Sequence, residues 1–237
     1  MDIAEVRAEL EKDRAWRQDE IRFFQNCAAK FDTEQEQPRF NRALILLLYA
    51  HFEGFCKFAF TLYINEVNKL GLLRGQANYS LTASSLSDLF GALRNPSSKC
   101  AEFKNSLPDD SKLHLFARDR EFVERVADFM SCPMIIPETV VDTESNLKPV
   151  VLRKNLFRLG FRHDQFLDLE GEINRLLEYR NKIAHGAAQF GIEQNTYEAL
   201  RCATDKIMTQ VTIDIMEALQ HKAYLRPDAE VQSTASV

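Results

Sequence analysis

The chain has 237 residues, of which 45% are hydrophobic and only 8 are glycine. That balance favours packed helices over a turn-rich β architecture, and the length suits one domain with a proper core. A net charge of −5 and a sequence pI of ≈ 5.6 exclude a general nucleic-acid coat, whose footprint would be basic.

Read from the N-terminus, Met1-Asp2-Ile3-Ala4-Glu5 is acidic and lacks the basic and apolar regions of a signal peptide. Ile3, Val6, Leu10, Ile21 and Phe24 outline an amphipathic first helix running to Phe31, ended by a polar break over residues 32–38. Residues 40–70 form the expected central helix, apolar almost all round in its first half. Its most apolar run, residues 43–50, falls far below the ~20 residues needed to cross a bilayer. It reads as a core helix, with no membrane association. The cysteines, Cys27, Cys56, Cys100, Cys132 and Cys202, are odd in number and lack paired spacing, so neither a disulfide framework nor a zinc site is expected. Both features point to a cytoplasmic protein.

Gly71, Gly75 and the Ser/Thr-rich residues 80–87 predict a connection, followed by a short helix over 86–93 and another over 111–130. Pro133, Pro137 and the β-branched Thr139-Val140-Val141 predict a loop with room for one short strand. Residues 72–147 carry no recognised motif and are expected to be an insertion that shapes substrate access. Helices are then expected over 150–159 and from residue 164 onward, with Gly171 weakening the first turns of the second. Between Lys148 and His163 the chain carries Arg153, Lys154, Arg158 and Arg162 without one Asp or Glu. Two readings of this run stand side by side: a phosphate-facing, RNA-binding surface, or a solvated helix edge.

At the end of the second of these helices lies Glu178-Tyr179-Arg180-Asn181-Lys182-Ile183-Ala184-His185-Gly186. Phe166, Leu169, Ile173, Leu176 and Leu177 share one helical face, and Arg180 falls on it where another apolar side chain is due. Charged residues almost never sit on such a stripe unpaired. A structural explanation would pair Arg180 with a carboxylate, Glu53 or Glu178, and leave His185 as a cap on the helix dipole. A chemical one uses all three polar groups. The guanidinium is a permanent, planar cation matched to phosphate oxygens, and imidazole titrates near neutrality and transfers protons. Asn181 and His185 are four apart and stack on one face. Arg180 and His185 are five apart, which splays them by about 140° on an ideal helix. Their convergence therefore needs a helix end, a bend or a second copy of the chain, and Gly186, placed to stop the helix, favours the first of these.

This segment resembles the Arg-x(4)-His signature of the HEPN superfamily, the higher eukaryotes and prokaryotes nucleotide-binding domain, with Asn181 in the polar position after the arginine. Tyr49-Ala50-His51-Phe52-Glu53-Gly54-Phe55 looks like the early helix of prokaryotic HEPN proteins. The resemblance implies an all-α, HEPN-like helical bundle with long central helices and a helical or loop insertion. It further implies metal-independent RNA cleavage without a cofactor, leaving 2′,3′-cyclic phosphate and 5′-hydroxyl ends. Arg180, Asn181 and His185 would be catalytic, with Glu53 and Lys182 as supporting residues. An acid and a base on opposite sides of phosphorus would come most simply from two copies, hence a homodimer with a composite site. A toxin-like or defence role and an antitoxin or immunity partner fit this branch. Some HEPN toxins carry a tyrosine two positions beyond the histidine that a partner enzyme modifies with nucleotide; Ala187 stands there, so that control is not expected.

Two alternatives remain open on sequence: a non-catalytic HEPN nucleotide-binding or interaction module, and a metal-dependent nuclease built on Glu102-Phe103-Lys104. His51 and Glu53 lie roughly opposite each other on their helix and form no joint ligand pair; Glu53 is placed instead to orient Arg180. His114, His163 and His221 are isolated and read as surface or partly packed residues. The last helix is expected to start with a capping box at Asn195 and Glu198 and to continue through Tyr197, Leu200, Thr204, Ile207, Val211, Ile215 and Ala218. Residues 1–225 would then be a single helical domain and residues 226–237 a disordered tail.

Overall fold

The computed structural model describes residues 2–28, 36–100, 102–103, 111–186 and 190–227. Over these the chain forms α1 (Ile3–Ala28), α2 (Glu36–Asn68), α3 (Tyr79–Ser85), α4 (Ser87–Arg94), α5 (Ser111–Phe129), α6 (Pro149–Arg158), α7 (Glu170–Ala184) and α8 (Gln194–Gln220). Strand pairing among the described residues is limited to the isolated bridges Leu73–Pro133 and Ala77–Leu225. The expected all-α architecture is the one observed.

Helix α2 runs through the middle, packed by α1, α7 and α8, and α8 also touches both α1 and α7. A helix enclosed on three sides must be apolar on more than one stripe, and Leu44, Ile45, Leu48, Phe52, Phe55, Phe60 and Ile64 are all buried. Taken whole, α2 is long and apolar enough to cross a membrane by length and composition, with a mean hydropathy of 1.5 in its most apolar stretch, 56% of it buried within the bundle. The neighbouring helices account for that hydropathy. Each offers a single stripe: Val6, Leu10 and Ile21 from α1, Ile173, Leu176 and Leu177 from α7, and Leu200, Ile207, Val211 and Ile215 from α8. Burying a side chain of this size contributes about 1.5–3 kcal/mol.

Several boundaries differ from the sequence reading. Residues 79–85, expected as a connection, form α3, because the Asn78 side chain accepts the N–H of Leu81 and caps the turn. Residues 133–141 contain a 3-10 turn, Glu138–Val140, rather than a strand; Val140 and Val141 are buried against the core all the same. Helix α7 starts at Glu170, after a 3-10 turn Leu167–Leu169, later than residue 164. The N-cap of α8 is Glu193, two residues before the capping box placed at Asn195; Glu198 instead pairs with Arg201. His114 is buried, accepting the N–H of Cys100 at 3.3 Å. Phe31, most of the polar break, Lys104 and residues 228–237 lie outside the described residues.

The excursion between α2 and α6 is closed at its base. Backbone bonds from Met134 N to Leu72 O (2.7 Å), Arg74 N to Cys132 O (3.0 Å) and Gly75 N to Met130 O (2.8 Å) bring its two ends together. Above that base α3 packs on α6, and α5 packs on α4.

Candidate active site on helix α7

The apolar stripe of α7 sinks Ile173, Leu176 and Leu177 into the core and delivers Arg180 half-buried at its end. There the guanidinium lies 4.9 Å above the ring of Tyr49, a buried residue of α2. Its Nη1 donates to Asn181 Oδ1 at 2.9 Å and to Asn146 Oδ1 at 3.1 Å. Among the described residues Arg180 has no carboxylate partner. Glu178, one of the two carboxylates that could have paired with it, is bound by Lys182 one turn on. Two amide oxygens and an aromatic face orient the cation without cancelling its charge.

The support beneath it is built from both ends of the chain. The Tyr49 hydroxyl accepts the N–H of Leu147 at 2.8 Å, which ties the loop carrying Asn146 to α2. Burial pushes the Tyr49 phenol up to about 12; the Leu147 bond and Arg180 oppose the rise, and the carboxylate of Glu53, one turn along α2, adds to it. Among the described residues Glu53 forms no ion pair with Arg180; its carboxylate bears on the Tyr49 phenol. Asn146 follows a strained turn in which Glu144 (φ 50°) and Ser145 (φ 62°) both adopt the left-handed conformation. Ion pairing of Lys154 with Glu144 and a bond from Asn146 N to Thr143 O (2.8 Å) hold that turn.

His185 is the C-cap of α7 and is exposed. Its N–H still bonds the Asn181 carbonyl at 3.0 Å, and Gly186 follows with φ 67°, the left-handed stop expected for it. His185 thus stands at the very end of α7, five positions after Arg180, a spacing that projects side chains about 140° apart on an ideal helix. One chain brings Arg180 and Asn181 together, and the side-chain contacts of Arg180 among the described residues are with Asn146, Asn181 and Tyr49 rather than His185. Beyond the stop, the chain returns to the start of α2: Ile192 N bonds Pro38 O at 2.9 Å, and Asn41 Nδ2 donates to Ile192 O at 3.0 Å. A Cβ on Gly191 would lie 2.3 Å from the Pro38 ring, so glycine is required for this approach.

The other residues singled out by sequence have plainer settings. Lys182 is exposed and engaged with Glu178. Arg153 pairs with Glu170, Lys154 with Glu144 and Arg162 with Asp164, while Arg158 donates to Val140 O at 3.2 Å. The basic run is thus no bare cationic face, because its carboxylate partners come from the segments flanking it. His51 faces α1, on the opposite side of α2 from Tyr49. It is buried, edge-on to Trp16, with Nε2 2.7 Å from Glu20 Oε2 but off the line of a hydrogen bond. Burial holds its imidazole below the ordinary 6.5, outweighing the pull of Glu20. No group of three or more His, Cys, Asp or Glu side chains is placed to hold a metal among the described residues. Ala187, the position of the modified tyrosine in some toxins, lies outside them. Tyr49 and Asn146 escaped the sequence reading, although Tyr49 stands in the very stretch of α2 that resembles other HEPN proteins.

A family model described as MAE_28990-like HEPN matches residues 6–224. No curated protein and no solved structure matches the chain. A match that extends from the first turns of α1 past the end of α8 takes in the whole bundle and not the motif alone, and the chain belongs to the HEPN family.

Proposed function

We propose that this HEPN protein is a metal-independent endoribonuclease, cleaving RNA by attack of the 2′-hydroxyl on the adjacent phosphorus. The setting we infer is bacterial defence or a toxin–antitoxin pair, with an antitoxin or immunity partner restraining the enzyme. The observation that carries the reading is the Arg180 guanidinium, preorganised by Asn146, Asn181 and Tyr49 yet uncompensated by any carboxylate among the described residues. A cation fixed in this way stabilises charge that develops on phosphoryl oxygens without reorganising when it does.

The chemistry then needs two proton transfers. One His185 takes the 2′-hydroxyl proton as O2′ bonds to phosphorus; a second gives its proton to O5′ as the P–O5′ bond breaks. Asn181 orients Arg180 and, through its carbonyl, fixes the backbone of His185. The five-residue spacing, which projects Arg180 and His185 about 140° apart on an ideal helix, and the need for two imidazoles support a homodimer in which Arg180 of one copy meets His185 of the other across a two-fold axis.

The alternative is a non-catalytic HEPN module, and the same three contacts favour it, since they are also how a structural arginine is held. Incubating the full chain with RNA, with and without EDTA, beside His185→Ala separates the two. Our reading predicts EDTA-resistant cleavage that slows by about 10²–10⁴-fold in His185→Ala. Absence of cleavage on every RNA supports the module, and EDTA-sensitive cleavage supports a metal-dependent nuclease.

A further inference from the structure

A groove of about 640 Å³ lies between α3, α4, the 3-10 turn at Glu138–Val140 and α6, away from Arg180. Its lining has an unusual make-up for a protein of net charge −5: Arg94, Lys154 and Arg158 against the single carboxylate of Asp88, with two aromatic rings, Phe90 and Phe157. Phe157 is 61% exposed, on the outward face of α6. The exposed edge of His163 meets it at 5.3 Å between ring centres. Arg94 reaches back over Phe90, 5.7 Å from the ring centre. The walls are fixed to each other: Ser84 Oγ donates to the Arg158 carbonyl at 2.8 Å, and Arg158 Nη1 donates to Val140 O at 3.2 Å. Lys154 is engaged by Glu144, whereas Arg94 and Arg158 pair with no carboxylate among the described residues, and Arg94 is the exposed one of the two.

A half-covered ring flanked by cations in a groove of this size fits a nucleobase with its phosphate. Aromatic faces accept any base by stacking, and guanidinium matches the backbone anion. The groove also lies within chain reach of the candidate active site. Val140 lines it, and six residues later Asn146 holds Arg180, a span of at most about 20 Å of extended chain. We infer that this groove binds an unpaired segment of RNA, with a base on Phe157 and a phosphate on Arg94, and leads the strand towards the Arg180 site. The inference depends on the ribonuclease reading for the identity of its occupant.

The test is equilibrium binding of a short fluorescein-labelled single-stranded RNA to the full chain carrying His185→Ala, measured across a range of KCl concentrations. Adding Phe157→Ala should weaken binding about tenfold and leave the salt slope unchanged, while Phe157→Trp restores affinity. Adding Arg94→Gln should reduce the slope of log K against log salt by about 0.7, the loss of one phosphate contact to a single strand. Both side chains are exposed, and thermal melting checks that each variant keeps its fold. Unchanged affinity and slope in both variants would overturn the groove, and so would a parent protein that binds no RNA. If the variants are unchanged while the wild type still cleaves RNA, the groove fails and the nuclease reading survives. If they lose binding while the wild type never cleaves, the reverse holds. An effect of Phe157→Ala only on association with another protein would also reject the RNA assignment.

Discussion

Tyr49 serves Arg180 twice. Its ring lies under the guanidinium, and its hydroxyl holds the Leu147 N–H next to the asparagine that receives the same cation. Tyr49→Phe keeps the ring but orphans a buried N–H, at a cost of about 1–3 kcal/mol. It should lower the melting temperature and slow cleavage through a looser Asn146, with Arg180 still in place; an unchanged melting temperature would show that the Leu147 bond carries nothing. His51 makes a separate prediction. Its folded pKa lies below 6.5, so the ring is neutral in the fold and gains a proton on unfolding as pH drops below that value. Its contribution to stability is therefore present above pH 6.5 and is lost as pH falls through the lower folded value. Melting temperatures measured from pH 8 to 5 should fall less steeply for His51→Gln than for the wild type; parallel curves would mean that other groups govern the acid limb.

Among the elements, α7 carries the most consequence per residue. Its regularity up to the His185–Asn181 bond sets the direction of both polar side chains, and Gly186 ends it with a left-handed residue that has open space around it. Gly186→Ala meets no neighbour among the described residues, so the cost expected is that of the backbone, about 1–2 kcal/mol. Fraying of the last turn should follow, with cleavage reduced more than stability; activity equal to wild type would mean that the cap geometry does not position His185. The long helices α2, α5 and α8 were legible because apolar spacing survives in the sequence whatever the helix packs against. Helix α3 was not, since Ser and Thr in residues 80–85 read as a connection and only the Asn78 cap and its packing on α6 make them helical. The start of α8 was misplaced for a related reason: Asn195 and Glu198 have the spacing of a capping box, but Glu198 is drawn to Arg201.

At the scale of the molecule, the bundle exists to bring together residues that are far apart in sequence. The motif of α7 could be read directly, as could the anomaly of a cation on an apolar stripe. What holds that cation could not, because Tyr49 and Asn146 meet it only once α2, α7 and the loop before α6 have packed, with 98 positions between Tyr49 and Leu147. The same packing leaves a single His185 exposed at the end of α7, and two proton transfers need two imidazoles, which is why one copy of the chain is an incomplete catalyst in this account. The most direct measurement is poisoning by mixture: the wild-type chain is unfolded with an equal amount of His185→Ala, refolded and assayed on RNA. A composite site that takes one imidazole from each copy predicts about half the activity of the same amount of wild-type chain refolded alone, since only the wild-type pairs, about a quarter of the dimers, keep both imidazoles. Undiminished activity in a mixture shown to contain mixed dimers, or full activity from a monomer, would contradict it.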